Sequence, residues 1–280
     1  MPITQVAIDG GTLAVEVEGK DNAPLIVCSP AMGDTRDAYG PLAAKLVAAG
    51  FRVARFDLRG HGDSTAGFKQ YGDEAIADDY LAIIGALGGA PAILAGASLS
   101  AGASVIAAGK NPEAIAGLVL LAPFLRNGGN ALMLGILRVA LWWPWGPYVW
   151  RAYAKTLWPG LGEKAKERAT SSVALLERPG RWSAFHATVV GANHNVVRPW
   201  LGKTKAPALV VIGDKDPDWS DPLKEAEWVA SNFKDVETVV VPGAGHAPML
   251  ESPDIVAAGV LKFLERIKLG AFRATTEYKH

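Results

Sequence analysis

The stretch APAILAGASLSAG, residues 90–102, decides how this chain folds. Its first half, residues 91–95, is an apolar run of strand length, and its second half leads into an alanine-rich stretch of helical character. Ser98 stands at the junction, with Gly96, Ala97, Ser100, Ala101 and Gly102 around it. An ordinary strand-to-helix connection needs a glycine and an N-cap, so both serines could be caps. A tight turn that lifts one hydroxyl above the carboxyl end of a sheet also demands small neighbours, because the helix must cross the strand closely. These residues suit either reading, and the rest of the chain has to discriminate.

Outward from this point, short apolar runs alternate with helical stretches. Strands are predicted at 25–29, 52–57, 91–95, 117–121, 207–213 and 236–241, after an N-terminal stretch whose alternating polarity reads as a hairpin. Between them, DAYGPLAAKLVAAG, GDEAIADDYLAIIGALGG and SPDIVAAGVLKFLERIK place apolar residues at helical spacing. Alternation of this kind predicts an α/β fold with a mostly parallel central sheet flanked by helices. It lapses between Pro123 and about Pro199, where tryptophan, proline and short amphipathic pieces accumulate. Structureless loops beyond about 15 residues are uncommon, so a helical cap insertion over 124–199 is expected, with 1–123 and 200–280 forming the core domain. The tail after Leu269, GAFRATTEYKH, is expected to be loosely ordered.

Composition narrows the function. A chain of 280 residues buries about three quarters of its unfolded surface and can build a full core. With 28 basic and 28 acidic residues, no net field favours a nucleic acid or an anionic lipid, and no nucleic-acid partner is expected. The single cysteine, Cys28, sits in the apolar run PLIVCSP, which excludes an internal disulfide and fits a buried thiol in a reducing compartment. Residues 1–19 do not have the basic and apolar regions of a signal peptide, so a cytoplasmic location is expected. The most apolar segment, ALMLGILRVALWWPWGPYVW at 131–150, is broken by Arg138 and two prolines, short of the roughly 18 residues a membrane span requires. Contact with a lipid surface is the alternative, without stable membrane insertion. The sequence leaves a homodimer open.

A serine hydroxyl becomes nucleophilic only beside a base that a third group holds in the right tautomer. The base candidate is His246, in a glycine-rich loop after the last predicted strand; the acid candidate is Asp216 in LVVIGDKDPDWSDP, again directly after a strand. Strand ends on one rim of a parallel sheet are where such groups meet. Serine, acid and histidine then occur in the order 98, 216, 246, with the insertion between the first and second.

On these residues the chain resembles the α/β-hydrolase superfamily, as a cap-bearing, serine esterase-like member, over nearly its whole length. The elbow that usually reads GxSxG is here Gly96-Ala97-Ser98-Leu99-Ser100, with serine at the final glycine. The family's His-Gly pair before the oxyanion residue is replaced by Pro30 and Ala31, so the resemblance implies the backbone N–H of Met32 as one oxyanion donor and that of Leu99 as the second. Tyr39 stands where the family often has tryptophan, and DLRGHGDS at 57–64 matches a turn that serves the fold. Asp214 is the rival acid; the family's G-x-x-D spacing from Gly213 selects Asp216. The acidic run Asp214, Asp216, Asp218 superficially matches a calcium loop, but Trp219 occupies the place where that loop needs glycine, and no metal is expected. His61, His186 and His194 read as structural or cap-supporting residues. Trp142, Trp143 and Trp145 are expected as substrate contacts in the cap.

The function this resemblance implies is hydrolysis of a carboxylic ester of a small to medium apolar substrate through an acyl-enzyme, with no metal or organic cofactor. A neutral His246 is required, so activity should climb as pH passes about 6 to 7. A lactonase, a carbon–carbon bond hydrolase and a cofactor-free perhydrolase share the same triad, and a low-turnover binding protein or receptor on this scaffold is the alternative from another class. An aspartate at the elbow, as in haloalkane dehalogenases, is excluded by Ser98.

Overall fold

The computed structural model describes residues 3–129 and 131–277. Six parallel strands form most of an eight-stranded sheet: β3 (Leu25–Ser29), β4 (Arg52–Phe56), β5 (Ala92–Ala97), β6 (Ile115–Leu121), β7 (Ala208–Gly213) and β8 (Val236–Val241). The N-terminal hairpin of β1 (Ile3–Ile8) and β2 (Gly11–Glu18) joins antiparallel to β4, giving the order β1-β2-β4-β3-β5-β6-β7-β8. Each expected strand is present within two residues at either end.

The central strands are apolar on both faces because helices cover both, as a parallel sheet requires. On one side α1 (Gly40–Ala48) and α10 (Pro253–Glu277) pack against Ile26, Cys28, Val53 and Val211. On the other, α2 (Asp73–Leu87), α3 (Leu99–Lys110) and α8 (Pro222–Ala230) meet Val27, Phe56, Leu94 and Val210. Alternate residues of one strand thus serve different layers. Between β6 and β7 the chain forms α4 (Ala131–Ala140), α5 (Gly146–Ala154), α6 (Lys164–Leu176) and α7 (Arg181–Gly191), and the short α9 (Pro248–Glu251) follows the turn after β8. The backbone of α10 is helical to Glu277, and GAFRATTE holds no proline that would end it earlier. Among the described residues no helix is long and apolar enough to cross a membrane.

Candidate active site

Four loops at the carboxyl ends of β3, β5, β7 and β8 converge on one rim, and each carries a residue singled out by the sequence. Ser98 lies between β5 and α3 with φ 58° and ψ −123°. Among the described residues it is one of only two non-glycine positions with positive φ, a strain of about 1–3 kcal/mol that persists where surrounding structure holds it. Its N–H donates to Leu121 O at 2.9 Å, and its carbonyl accepts from Ala101 N and Phe124 N at 3.0 and 3.2 Å. The small neighbours are needed: a Cβ on Gly96 would lie 2.3 Å from the carbonyl oxygen of Ser100, and one on Gly102 2.6 Å from that of Phe124.

Ser100 takes the place of a glycine and uses its hydroxyl. It donates to Pro30 O at 2.7 Å and accepts from Ser29 Oγ at 3.0 Å, in fully buried surroundings. The elbow is therefore tied to the loop after β3. Tyr39 reinforces that junction, its hydroxyl lying 3.1 Å from Ser29 O and 3.0 Å from Ala95 O.

Met32 follows β3 and faces the same cavity as Ser98; its N–H makes no hydrogen bond to a described residue. Leu99 opens α3, so its N–H has no helical carbonyl four residues back, while its side chain is buried in the layer below. The Met32 loop is held from beneath by His61, whose Nε2 accepts from Gly33 N–H at 3.1 Å and whose Nδ1 donates to Arg59 O at 3.0 Å. Burial pushes this imidazole down to about 4, which keeps it the neutral acceptor that Gly33 needs.

Asp216 follows β7 and His246 follows β8. His246 Nδ1 lies 2.9 and 3.1 Å from the two carboxylate oxygens of Asp216, both residues being buried. Its loop is pinned by the backbone bond from His246 N to Leu157 O at 2.7 Å. Glu251 adds a second clamp, accepting from Gly245 N–H at 2.9 Å, Ala247 N–H at 3.1 Å and Gly160 N–H at 2.7 Å. The ring of Phe124 meets that of His246 edge-on at 5.9 Å.

A residue given no role in the sequence reading completes this corner. Asp218 places a carboxylate oxygen 3.2 Å from the same Nδ1 and accepts a hydrogen bond from the hydroxyl of Tyr153 on α5. Burial pulls the His246 pKa down, but the carboxylates of Asp216 and Asp218 outweigh it and push the imidazole up to about 9. The DPD triplet puts Asp218 near Asp216 in the chain, yet only the loop's turn reveals that both face one nitrogen. Ligand atoms of Asp216, Asp218 and His246 lie within 4.8 Å of one another. A single Nδ1–H between two carboxylates accounts for this grouping, and the loop has none of the helix–loop–helix form of a calcium site. Asp214 is turned away, its carboxylate accepting from Gly243 N–H at 2.7 Å.

A cavity of about 500 Å³ opens above these groups and is bordered by both Ser98 and His246. Its walls are largely apolar: Met133, Leu137 and Leu141 from the α4 region, then Trp150, Leu157 and Trp158 beyond. The structure does not bring Trp142, Trp143 and Trp145 to it. They occupy the turn between α4 and α5, 58, 58 and 49 % exposed, and the turn of α5 points Trp150 inward instead. His194 borders the cavity with its Nδ1 2.7 Å from Asp73 Oδ1, whereas His186 bonds Arg138 O at 2.9 Å beneath the outer surface.

Comparison with known proteins bears on the family and the fold. The chain is 28 % identical over 279 residues to a 2-(acetamidomethylene)succinate hydrolase of Mesorhizobium japonicum, covering 92 % of this chain and 94 % of that one. It is 29 % identical to a pimeloyl-[acyl-carrier protein] methyl ester esterase of Neisseria meningitidis, over 84 % of this chain and 91 % of the relative. A hydrolase crystal structure from Pseudomonas aeruginosa superposes with a TM-score of 0.82 at 26 % identity, covering 94 and 98 % of the two chains. The profile of the alpha/beta hydrolase family matches residues 26–259, and with the eight-stranded sheet and its rim of loops this chain belongs to that family.

Proposed function

We propose that this hydrolase cleaves a carboxylic ester through an acyl-enzyme formed on Ser98, with residues 124–199 acting as the cap over the site. The observation that carries the reading is Ser98 at φ 58°, bordering the same largely apolar cavity as a histidine whose far nitrogen is held by a buried aspartate. Ser98 Oγ attacks the acyl carbon while His246 Nε2 accepts its proton, and Asp216 stabilises the imidazolium through Nδ1–H. The N–H groups of Met32 and Leu99 receive the oxyanion; donors of this kind are each worth about 10²- to 10³-fold in rate. His246 returns the proton to the leaving alcohol, and water repeats the sequence to release the acid.

Named activities of the relatives, an amide-bearing succinate derivative and a methyl ester, support acyl chemistry without fixing the substrate. A cavity of about 500 Å³ with apolar walls favours an acyl group of small to medium size. The deciding experiment is turnover of p-nitrophenyl esters of increasing chain length beside fluorophosphonate labelling and mapping of the modified residue. Label on Ser98 and multiple turnovers are expected; a single burst without turnover would establish a binding protein instead. Ser98→Ala should lower kcat by about 10⁴-fold or more.

A further inference from the structure

The helix α4 is apolar on two sides. Met133, Leu134 and Leu137, with Leu141 just past its end, border the cavity. Leu132, Ile136 and Val139 point elsewhere, 72, 60 and 57 % exposed, and line a shallow apolar groove with Gly135, Ala140 and Trp145. The adjoining turn and α5 add Trp142, Trp143 and Tyr148, all mostly exposed. Isolated exposed apolar side chains need no explanation, but a contiguous field of this extent marks a binding surface.

The charges around it say what binds. From Ala114 to Gly162 the sequence contains no Asp or Glu, while Arg126, Arg138, Arg151 and Lys155 are present in a chain whose net charge is zero. Arg126 and Arg151 are matched by Glu225 and Glu177 from other segments. Arg138 bonds only a backbone carbonyl, Val190 O at 3.1 Å, and Lys155 has no carboxylate partner among the described residues. The field therefore combines exposed aliphatic residues, a group of indole and phenol rings, and cations left unneutralised. Such rings settle at a lipid–water boundary, and basic groups beside them are attracted to anionic headgroups. A second copy of the chain meeting this surface isologously would bring Arg138 and Lys155 up against a segment that itself carries no Asp or Glu, which disfavours a dimer here.

We infer that the outer side of α4 and the α4–α5 turn dock reversibly on an anionic lipid surface, so that the cavity mouth at Met133 and Leu137 faces the lipid. Both residues border the cavity and are 61 and 39 % exposed, so one apolar path joins the surface to the site. The protein lies on the bilayer, since no described helix is long and apolar enough to cross it. Resting on the Ser98 reading, the substrate class becomes acyl esters that partition into lipid and enter acyl end first.

The test is co-sedimentation of the full chain with vesicles of phosphatidylcholine alone and of phosphatidylcholine with phosphatidylglycerol. Retention by the second kind, weakening with added salt, is expected. The double variant Ile136→Ser with Val139→Ser should bind at least about tenfold more weakly, because it removes two exposed aliphatic contacts. It should turn over a water-soluble p-nitrophenyl ester as the parent does, which also reports its folding. Lys155→Glu should weaken binding to the anionic vesicles only. Ser98→Ala should bind as the parent does, so failure of docking and failure of the ester reading are separate results. Absence of retention by either vesicle, equal retention by both, or unchanged binding in the double variant would overturn the inference. So would sedimentation velocity showing a dimer abolished by that double variant.

Discussion

The nitrogen that orients the catalytic base candidate is shared by two acids, and this changes the pH at which the site should work. With Asp216 alone, a rise in activity at about pH 6 to 7 is the expectation for an ordinary imidazole. With Asp218 also 3.2 Å from Nδ1, the imidazolium is favoured and the ring is pushed up to about 9, so the neutral base becomes available only on the alkaline side of neutrality. The acidic limb of kcat/KM should accordingly lie above pH 7. Asp218→Asn keeps an oxygen for the Tyr153 hydroxyl but removes one charge that stabilises the imidazolium. That limb should move to lower pH, and activity at pH 7 should rise. An unmoved limb across a full pH–rate profile would show that Asp218 exerts no electrostatic hold on the base. Tyr153 comes from α5, between β6 and β7, so that segment reaches this ionisation through one hydrogen bond.

At the scale of the element, the turn from β5 to α3 depends on a contact made two strands' worth of chain earlier. Ser100 lies within the helix opening, and its hydroxyl bridges Pro30 O and Ser29 Oγ beside the Met32 loop. A glycine would allow the same crossing but would leave Pro30 O without its donor in a buried place. Ser100→Ala keeps the backbone and removes the bridge, which should cost about 1–3 kcal/mol for the polar groups left without partners. Thermal or urea unfolding measures this directly, and stability equal to the parent's would mean that the junction rearranges to recover its hydrogen bonds. His61 has a comparable place beneath the loop, since its Nε2 accepts Gly33 N–H. Its role as a structural histidine was legible in DLRGHGDS, whereas the amide it supports lies 28 residues earlier and could not be read from spacing. The inserted helices were legible as helices for the same local reason that α1 and α2 were: apolar residues recur at helical spacing. Which tryptophans face inward was not, because that depends on how α5 leaves the turn at Trp143 and Pro144.

For the whole molecule, the two layers that bury the sheet set how the chain opens. Cys28 sits near the end of β3, fully buried beneath α1 and α10, and burial pushes its thiol up to about 12. The thiolate is the reactive form, so iodoacetamide should leave the native protein unlabelled and modify it only after unfolding. The rate of labelling in mild urea then reports opening of the sheet; rapid labelling of the native chain in buffer would show that this layer opens locally. The outer surface of α4 and the α4–α5 turn belongs to the same scale, since its apolar field is distinguished only by comparison with the neutral, mixed charge elsewhere.

Local pattern by itself determined the alternation of strands and helices, the hairpin and the order in which serine, acid and histidine occur along the chain, because periodicity, small residues and strand-end loops are properties of neighbours along the chain. Tertiary structure alone decided that Asp218 joins Asp216 on one imidazole nitrogen, that Ser100 and His61 brace the Met32 loop, and that Trp150 rather than Trp142, Trp143 or Trp145 walls the cavity. All three depend on distances between segments far apart in sequence, which are set by how the layers pack and not by the spacing of the residues.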